Sequence, residues 1–248
     1  MIGQGRKFSP EEIDKIGAEG ITKVDELMAH HKENRAIKHA YALVRSLTED
    51  AALQNIVHSS QVRAKSEESL RGKLLGKALA ASEGGELFDI DRSNFYLRLN
   101  DTIGLRLIYL SLTQFPELHK SFLELLEANT LFLLEPVKAY TFDDEVTNFF
   151  KQQEIDVKPN PRLYTSVHYI VVPSKTNPGW SAEIQVRTLA EELWGEVDHQ
   201  FNYPDKHPSV ACKEQILALA KLASASVRLT DSIFRSDQTW HNEHPSCE

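Results

Sequence analysis

Asn100-Asp101-Thr102-Ile103-Gly104-Leu105-Arg106-Leu107-Ile108-Tyr109-Leu110-Ser111-Leu112 is the stretch from which the fold can be read. From Leu105 to Leu112 the residues are apolar and often branched, which predicts a strand buried on both faces. Two later segments alternate in character, Tyr164 to Val172 and Ala182 to Thr188, and read as two more strands. Helical spacing surrounds them. Ser9-Pro10-Glu11-Glu12 is a helix start with a capping box, and the chain reads helical from there to about Ile56. A second helix is predicted from Ser66, burying Leu70, Leu74 and Ala78 and ending at Glu83-Gly84-Gly85. Further helices are expected over Pro116 to Thr130, along the stripe Leu189, Leu193, Val197 and Phe201 as far as Pro204, and from Val210 to Phe234. The last helix is carried by Ile216, Leu219, Leu222 and Val227, with a frayed tail from Gln238. Together these elements predict an α+β fold, a mixed sheet flanked by N- and C-terminal helices.

The totals narrow the function. No apolar run approaches the roughly 18 residues of a membrane span, and Met1 to Pro10 lacks the apolar core of a secretory signal. With Cys212 and Cys247 as the only cysteines, a disulfide framework and a thiolate zinc site are both excluded, and a reducing cytoplasm is the expected setting. The net charge of −8 argues against broad nucleic-acid binding, so local clusters of Arg and Lys call for a local reason.

One such cluster is Arg63, Lys65, Ser69 and Lys73, spaced R-x-K-x-x-x-S-x-x-x-K. Ser69, Lys73 and Lys77 share a helix face, and the preceding cations sit near a helix N-terminus, where free N–H groups favour anions. The pattern fits a phosphate cradle, and it fits a solvated basic helix face. Asp101 stands at the start of an apolar strand, where an unpaired carboxylate is costly. It could cap a turn and pair with Arg98 or Arg106, or hold a ligand. A turn or bulge near Gly104 is needed for Asp101 and Arg106 to address one ligand. Glu183, Gln185 and Arg187 share one face of their strand, with Ile184 and Val186 on the other. That face is either the wet side of an edge strand or an oriented base and hard-cation ligand. Asp101 and Glu183 together are the usual protein share of a Mg²⁺–nucleotide site. Tyr164, Ser166 and His168 line one strand face, either as a base-stacking platform or as sheet cover with a satisfied histidine. Walker A, G-x-G-x-x-G and G-x-S-x-G motifs are all absent.

Taken in order, these segments resemble the synthetase domain of the RelA/SpoT alarmone family. The resemblance runs from R-x-K-x-x-x-S-x-x-x-K at Arg63 to Lys73 through D-x-x-G-x-R at Asp101 to Arg106, Y-x-S-x-H at Tyr164 to His168 and E-I-Q-V-R-T at Glu183 to Thr188. It closes on W-G-E-V-D-H-Q-F-N-Y, Trp194 to Tyr203. It implies a nucleotidyltransferase-like core that transfers the β,γ-pyrophosphate of ATP to the ribose 3′-OH of GDP or GTP, making (p)ppGpp with Mg²⁺. Arg63 and Arg106 would sandwich the adenine, and Lys65, Ser69 and Lys73 would hold the phosphates. Asp101 and Glu183 would bind the metal, and Glu183 would also act as general base. Tyr164 and His168, with Asn160, Gln185 and Arg187, would meet the acceptor. The implied division is residues 1–60 as an N-terminal helical extension, 61–204 as the synthetase core, and 205–248 as a C-terminal helix and tail.

The family's hydrolase is built on a His-Asp motif, and no His-Asp dipeptide occurs, so a small synthetase without hydrolase or regulatory domains is expected. Such proteins often form homo-oligomers through terminal helices, which the apolar positions from Leu217 to Val227 would permit. The family's Asn-Gly pair before the stacking Tyr is replaced by Lys158-Pro159-Asn160-Pro161-Arg162-Leu163, which opens the acceptor to question. An adenosine nucleotide is one alternative. The 3′ end of tRNA is another, reached through a patch such as Arg162, Lys175 and Arg187.

Overall fold

The computed structural model of the chain describes residues 6–161, 163–202 and 209–244. Its first half runs α1 (Pro10–Glu33), α2 (Ala36–Ser46), α3 (Ala51–Gln54), β1 (Ser59–Ala64), α4 (Glu67–Glu83), α5 (Phe95–Arg98), β2 (Ile103–Tyr109) and α6 (Phe115–Ala128). The second half runs β3 (Phe132–Leu133), β4 (Lys138–Thr141), α7 (Asp144–Gln152), β5 (Asp156–Pro159), β6 (Ser166–Val172), β7 (Ala182–Thr188), α8 (Leu189–Asn202) and α9 (Val210–Glu243). The strands form one mixed sheet in the order β1-β2-β7-β6-β4-β5, with β3 paired to β6. β2 and β7 run parallel, while β6 is antiparallel to β7 and β1 is antiparallel to β2.

The three strands read from the sequence stand side by side at the centre, and their alternation sorts the two faces. Leu105, Leu107, Val167, Tyr169, Ile184 and Val186 point into the main core beneath α2, α6 and α7. The other face of the same strands carries Gly104, Arg106, His168, Glu183, Gln185 and Arg187. α8 and α9 join in a separate cluster around Trp194, and α1 and α4 in a third through Val24, Leu27, Leu70 and Leu74. α4 starts on Ser66, whose hydroxyl accepts from Ser69 N–H (3.2 Å), and reaches Glu83 as the sequence implied.

Several elements depart from the sequence-based expectation. The first helical run breaks at Asn34, whose Oδ1 accepts from Ala36 N–H while its Nδ2 donates to Tyr96 and to the Gly179 carbonyl. A second kink lies at Gly17, where φ is 74°. β1 is not evident in the sequence because Ser-Ser-Gln-Val-Arg-Ala has no apolar alternation; it is an edge strand held by its ladder to β2. The short β3, β4 and β5 carry too few residues each to show a period, whereas α7, capped by Asp143 and burying Val146 and Phe150 four apart, carries a helical signal that sequence reasoning missed. The central strand spans Ile103–Tyr109, and Leu112 opens a 3₁₀ turn instead of ending it. β6 begins at Ser166, so Tyr164 precedes the strand.

On α8 most of the expected stripe faces outward: Leu189, Leu193 and Phe201 are exposed, Val197 is partly buried against the Trp194 cluster, and the buried positions are Glu191 and Trp194. The sheet face under α8 is polar, so charged residues make its inward contacts. Pro204, its expected stop, lies outside the described residues. α9 continues through Gln238 to Glu243, and Leu222 on it is exposed. Buried Asp231 anchors α9, accepting from Ser111 Oγ (2.6 Å) and Leu112 N–H (2.7 Å). Among the described residues no helix is long and apolar enough to cross a membrane.

Candidate active site

The strand register lays the polar face out as a grid. Lys138, His168, Gln185, Arg106 and Gln61 are successive partners across β4, β6, β7, β2 and β1. The next row holds Ile170, Glu183, Gly104 and Arg63. β7 is a central strand, so the edge-strand alternative for Glu183, Gln185 and Arg187 does not hold. Over this face opens a cleft of about 620 Å³, lined by Arg63, Lys65, Ser69, Asp101, Arg106, Glu183 and Gln185 on the sheet and α4 side. α8 closes it with Glu196, His199 and Gln200.

Asp101 lies in the turn just before β2, so it reaches the cleft without a bulge at Gly104. Its partners are neither Arg98 nor Arg106: Lys65 Nζ meets Oδ2 at 2.5 Å and Lys73 Nζ meets Oδ1 at 2.7 Å. Burial pushes the Asp101 carboxyl up, but the two ammonium groups outweigh it and hold the pKa below its ordinary value. Arg63 lies across Gly104, where a Cβ would meet Arg63 Cγ and Nε at 3.4 Å, an ordinary contact distance. Arg63 and Arg106 thus share one wall. Arg106 Nη1 contacts Glu192 Oε1 (2.8 Å) and also Glu196. Ser69 lines the cleft, whereas Lys77 is exposed and outside its lining.

Glu183 is braced through both carboxylate oxygens. His168 Nδ1 lies 3.1 Å from its Oε1, and Gln185 Nε2 donates to its Oε2 at 2.9 Å. An ionised carboxylate can only accept, so Nδ1 is the donor in that contact, and Nε2 on the other side of the ring lies 3.3 Å from Tyr164 Oη. Burial raises the Glu183 pKa, but the hydrogen bonds from His168 and Gln185 help to overcome that, and the carboxyl sits below its ordinary value. Gln185 is oriented in turn by Arg187, whose Nη2 donates to its Oε1 at 2.8 Å.

The aromatic part differs from the sequence expectation. Leu163 has φ 59°, the left-handed region where glycine is favoured, at the position for which the resemblance supplies a Gly. The chain turns there and sends the Tyr164 ring against Trp194 and beneath the Arg187 guanidinium, 5.2 Å from the centroid. One face of Tyr164 is therefore already covered. Arg187 is 3% exposed and directs its donors at protein groups. Asn160 lies in the loop after β5, its backbone N–H donating to the Thr141 carbonyl, and is not among the cleft's lining residues. Arg162 lies outside the described residues.

The cleft residues that sequence reasoning missed cluster on α8. Glu196, His199 and Gln200 line the cleft, and Glu192, one turn earlier, reaches Arg106 from the same helix face; their helical spacing is a legible signal obscured by the neighbouring leucines. Gly195 belongs to the W-G-E-V-D-H segment, and the structure supplies its reason: a Cβ there would stand 2.5 Å from Arg187 Nη1.

The model of the region found in RelA / SpoT proteins matches residues 62–208, more than half of the 248. The chain belongs to the RelA/SpoT family. Among solved structures, a GTP pyrophosphokinase family protein from Streptococcus pneumoniae is similar at a TM-score of 0.54 and 20% identity, over 83% of this chain and 90% of that one. Small alarmone synthetase 2 from Bacillus subtilis reaches 0.50 and 17% identity, over 87% and 97%. At such identities the likeness is one of fold, and it matches the mixed α+β fold expected from the sequence. Among curated protein sequences no match is found. This RelA/SpoT member thus has the fold of the pyrophosphokinase-type synthetases, with motifs from both ends of the matched region brought to one cleft.

Proposed function

We propose that the chain transfers the β,γ-pyrophosphate of ATP to the ribose 3′-OH of a guanosine di- or triphosphate. The observation that carries this reading is the convergence, on one polar sheet face, of a braced carboxylate at Glu183 with Asp101, two lysines and two arginines. Arg63 and Arg106 offer planar guanidinium groups to the adenine. Lys65 and Lys73 are the phosphate ligands, and Ser69 adds a hydroxyl beside the N-terminus of α4. The acceptor 3′-oxygen attacks the β-phosphorus, the bond from that phosphorus to the oxygen bridging to the α-phosphorus breaks, and AMP leaves. The 3′-OH proton passes to Glu183. Its lowered pKa makes Glu183 a weak base, which suits a transfer that depends mainly on positioning and charge neutralisation.

Mg²⁺ fits the donor set. Asp101 and Glu183 supply two carboxylates, and among the described residues no group of three or more His, Cys, Asp or Glu side chains forms a fuller metal cage. Mg²⁺ usually takes only one or two protein carboxylates and keeps water and phosphate oxygens for the rest. When bound it would neutralise the phosphate charge and polarise the attacking oxygen. Both Asp101 oxygens face lysines, so loading the site requires Lys65 and Lys73 to move to the incoming phosphates.

A second acceptor reading, an adenosine nucleotide or a tRNA 3′ end, is favoured by the Pro159–Pro161 loop and by the covered face of Tyr164. Incubation with Mg²⁺ and γ-labelled ATP against GDP, GTP, ADP, ATP and tRNA separates the two. Label on a guanosine nucleotide with AMP release is expected, with Glu183→Gln slower by about 10²–10⁴-fold. ATP binding without AMP from any acceptor would overturn the reading in favour of a nucleotide-binding module.

A further inference from the structure

We propose that Glu192 is a positioning residue that braces the donor-side Arg106 and the acceptor-side Arg187 together, keeping the two halves of the site in register. The proposal rests on the pyrophosphotransfer reading above for its kinetic consequences, although the contact itself does not depend on it.

One carboxylate stands between two guanidinium groups. Glu192 Oε1 meets Arg106 Nη1 at 2.8 Å, and Glu192 Oε2 lies 3.0 Å from Arg187 Nε as an ion pair without hydrogen-bond alignment. The three side chains are 18%, 12% and 3% exposed in that order, so water screens these charges poorly. Two buried cations facing one another are untenable without a counter-charge, and a buried cation stripped of its partner is far costlier than an exposed one. Arg106 has a second carboxylate in Glu196, whose side chain is 56% exposed. Among the described residues Arg187 makes no second ion pair, although the Glu191 and Glu196 carboxylates are near enough to feel its charge; its other contacts include Gln185 Oε1 and the Tyr164 ring.

The consequences pass along a chain of defined hydrogen bonds. Arg187 can only donate, so its bond to Gln185 Oε1 fixes which end of that amide faces it. The amide NH₂ is thereby turned to Glu183 Oε2. On the other side, His168 links Glu183 to Tyr164, which lies beneath the Arg187 guanidinium. Glu192 therefore holds the adenine-side Arg106 directly. It holds Glu183 and Tyr164 through Arg187, although it touches neither.

The contrast between Glu192 and Glu196 provides the test. Both are four apart on α8 and both contact Arg106, but only Glu192 contacts Arg187. Glu192→Gln is expected to raise the KM for ATP and for the acceptor together and to lower kcat, with kcat/KM down on the order of 10²-fold, as misplacement by about 1 Å can produce. Glu196→Gln should move the ATP KM alone, and Glu192→Asp, which keeps the charge, should recover part of the loss. The arginine Nε–H resonances of ¹⁵N-labelled protein report the brace without any turnover. Glu192→Gln should shift both Arg106 and Arg187, whereas Glu196→Gln should shift Arg106 only. If the Arg187 resonance stays put in Glu192→Gln, or if only the ATP KM responds in an active enzyme, the proposal is wrong. If the resonances move as expected but no acceptor yields AMP even with the unaltered chain, the pyrophosphotransfer reading has failed and the brace stands. A Glu192→Gln protein that does not fold is replaced by Glu192→Asp in the same spectra, where an unmoved Arg187 likewise overturns the proposal.

Discussion

Gly195→Ala pits two opposed effects of known size against each other. Gly195 sits inside α8, where replacing glycine with alanine should stabilise a helix by about 1 kcal/mol. Against that gain, the new Cβ would lie 2.5 Å from Arg187 Nη1, and ordinary contact begins at 3.4 Å. The guanidinium must therefore withdraw by about 1 Å, the difference of those two distances. The end of a flexible arginine could normally swing away at little cost. Here the side chain is 3% exposed and pinned by Gln185, Glu192 and the Tyr164 ring. Overpacking of that kind costs about 1–3 kcal/mol, and loss of the cation–π contact adds about 0.5–2 kcal/mol. The clash should win by about 0.5–4 kcal/mol, lowering the melting midpoint by roughly 1–16 °C for a chain of this size. The same displacement releases Gln185 from Arg187, so the acceptor KM should rise more than the ATP KM. Thermal unfolding and steady-state AMP release measure both quantities. A variant about 1 kcal/mol more stable than the parent, with an unchanged acceptor KM, would show that helix propensity alone operates and that Arg187 is not held as described.

Two further perturbations address the fold around the site. Burial pushes the Glu191 carboxyl up from 4.5 to about 7, against hydrogen bonds from Thr188. A raised folded pKa contributes stability below the unfolded value that is lost as pH rises through the folded one, here between about pH 4.5 and 7, and totalling about 3 kcal/mol. His31, His119 and His199 are lowered by burial and act with the opposite sign below pH 6.5, so the comparison must be with Glu191→Gln. The stability of Glu191→Gln relative to the parent should climb across that window; a difference independent of pH would contradict the buried carboxyl. Asp231→Ala strands the Leu112 N–H, while the Ser111 hydroxyl keeps Thr113 Oγ1 at 2.8 Å, and should cost about 1–3 kcal/mol in urea unfolding. A loss under about 0.5 kcal/mol would mean that α9 is not anchored there.

The central strands were legible because side chains alternate every second residue and each face meets a different environment. That alone placed Ile184 and Val186 in the core and Glu183 with Gln185 on the opposite face. The Ser66 cap and the end of α4 were equally local, set by hydrogen bonds within a few residues of the chain. β1 was not legible, since an edge strand is stabilised by its partner's backbone and need not advertise itself in side chains. The leucines of α8 misled for a related reason. Periodicity reports which residues are apolar, whereas the face turned inward was decided by a polar sheet surface needing charged partners.

The sequence by itself determined which chemical groups the cleft could draw on: Arg63 and Lys65 at one end of the family region, Asp101 and Arg106 in the middle, and Glu183 with its alternating neighbours beyond. Their spacing along each element also determined which could share a face. How those groups are paired was decided only by the tertiary structure. The parallel register of β2 with β7 put Arg106 beside Gln185. The approach of α4 gave Asp101 two lysines, and the crossing of α8 over the sheet set Glu192 between two arginines and required Gly195 to lack a side chain. Such contacts join residues tens of positions apart, and burial sets their strength by excluding water from between the charges.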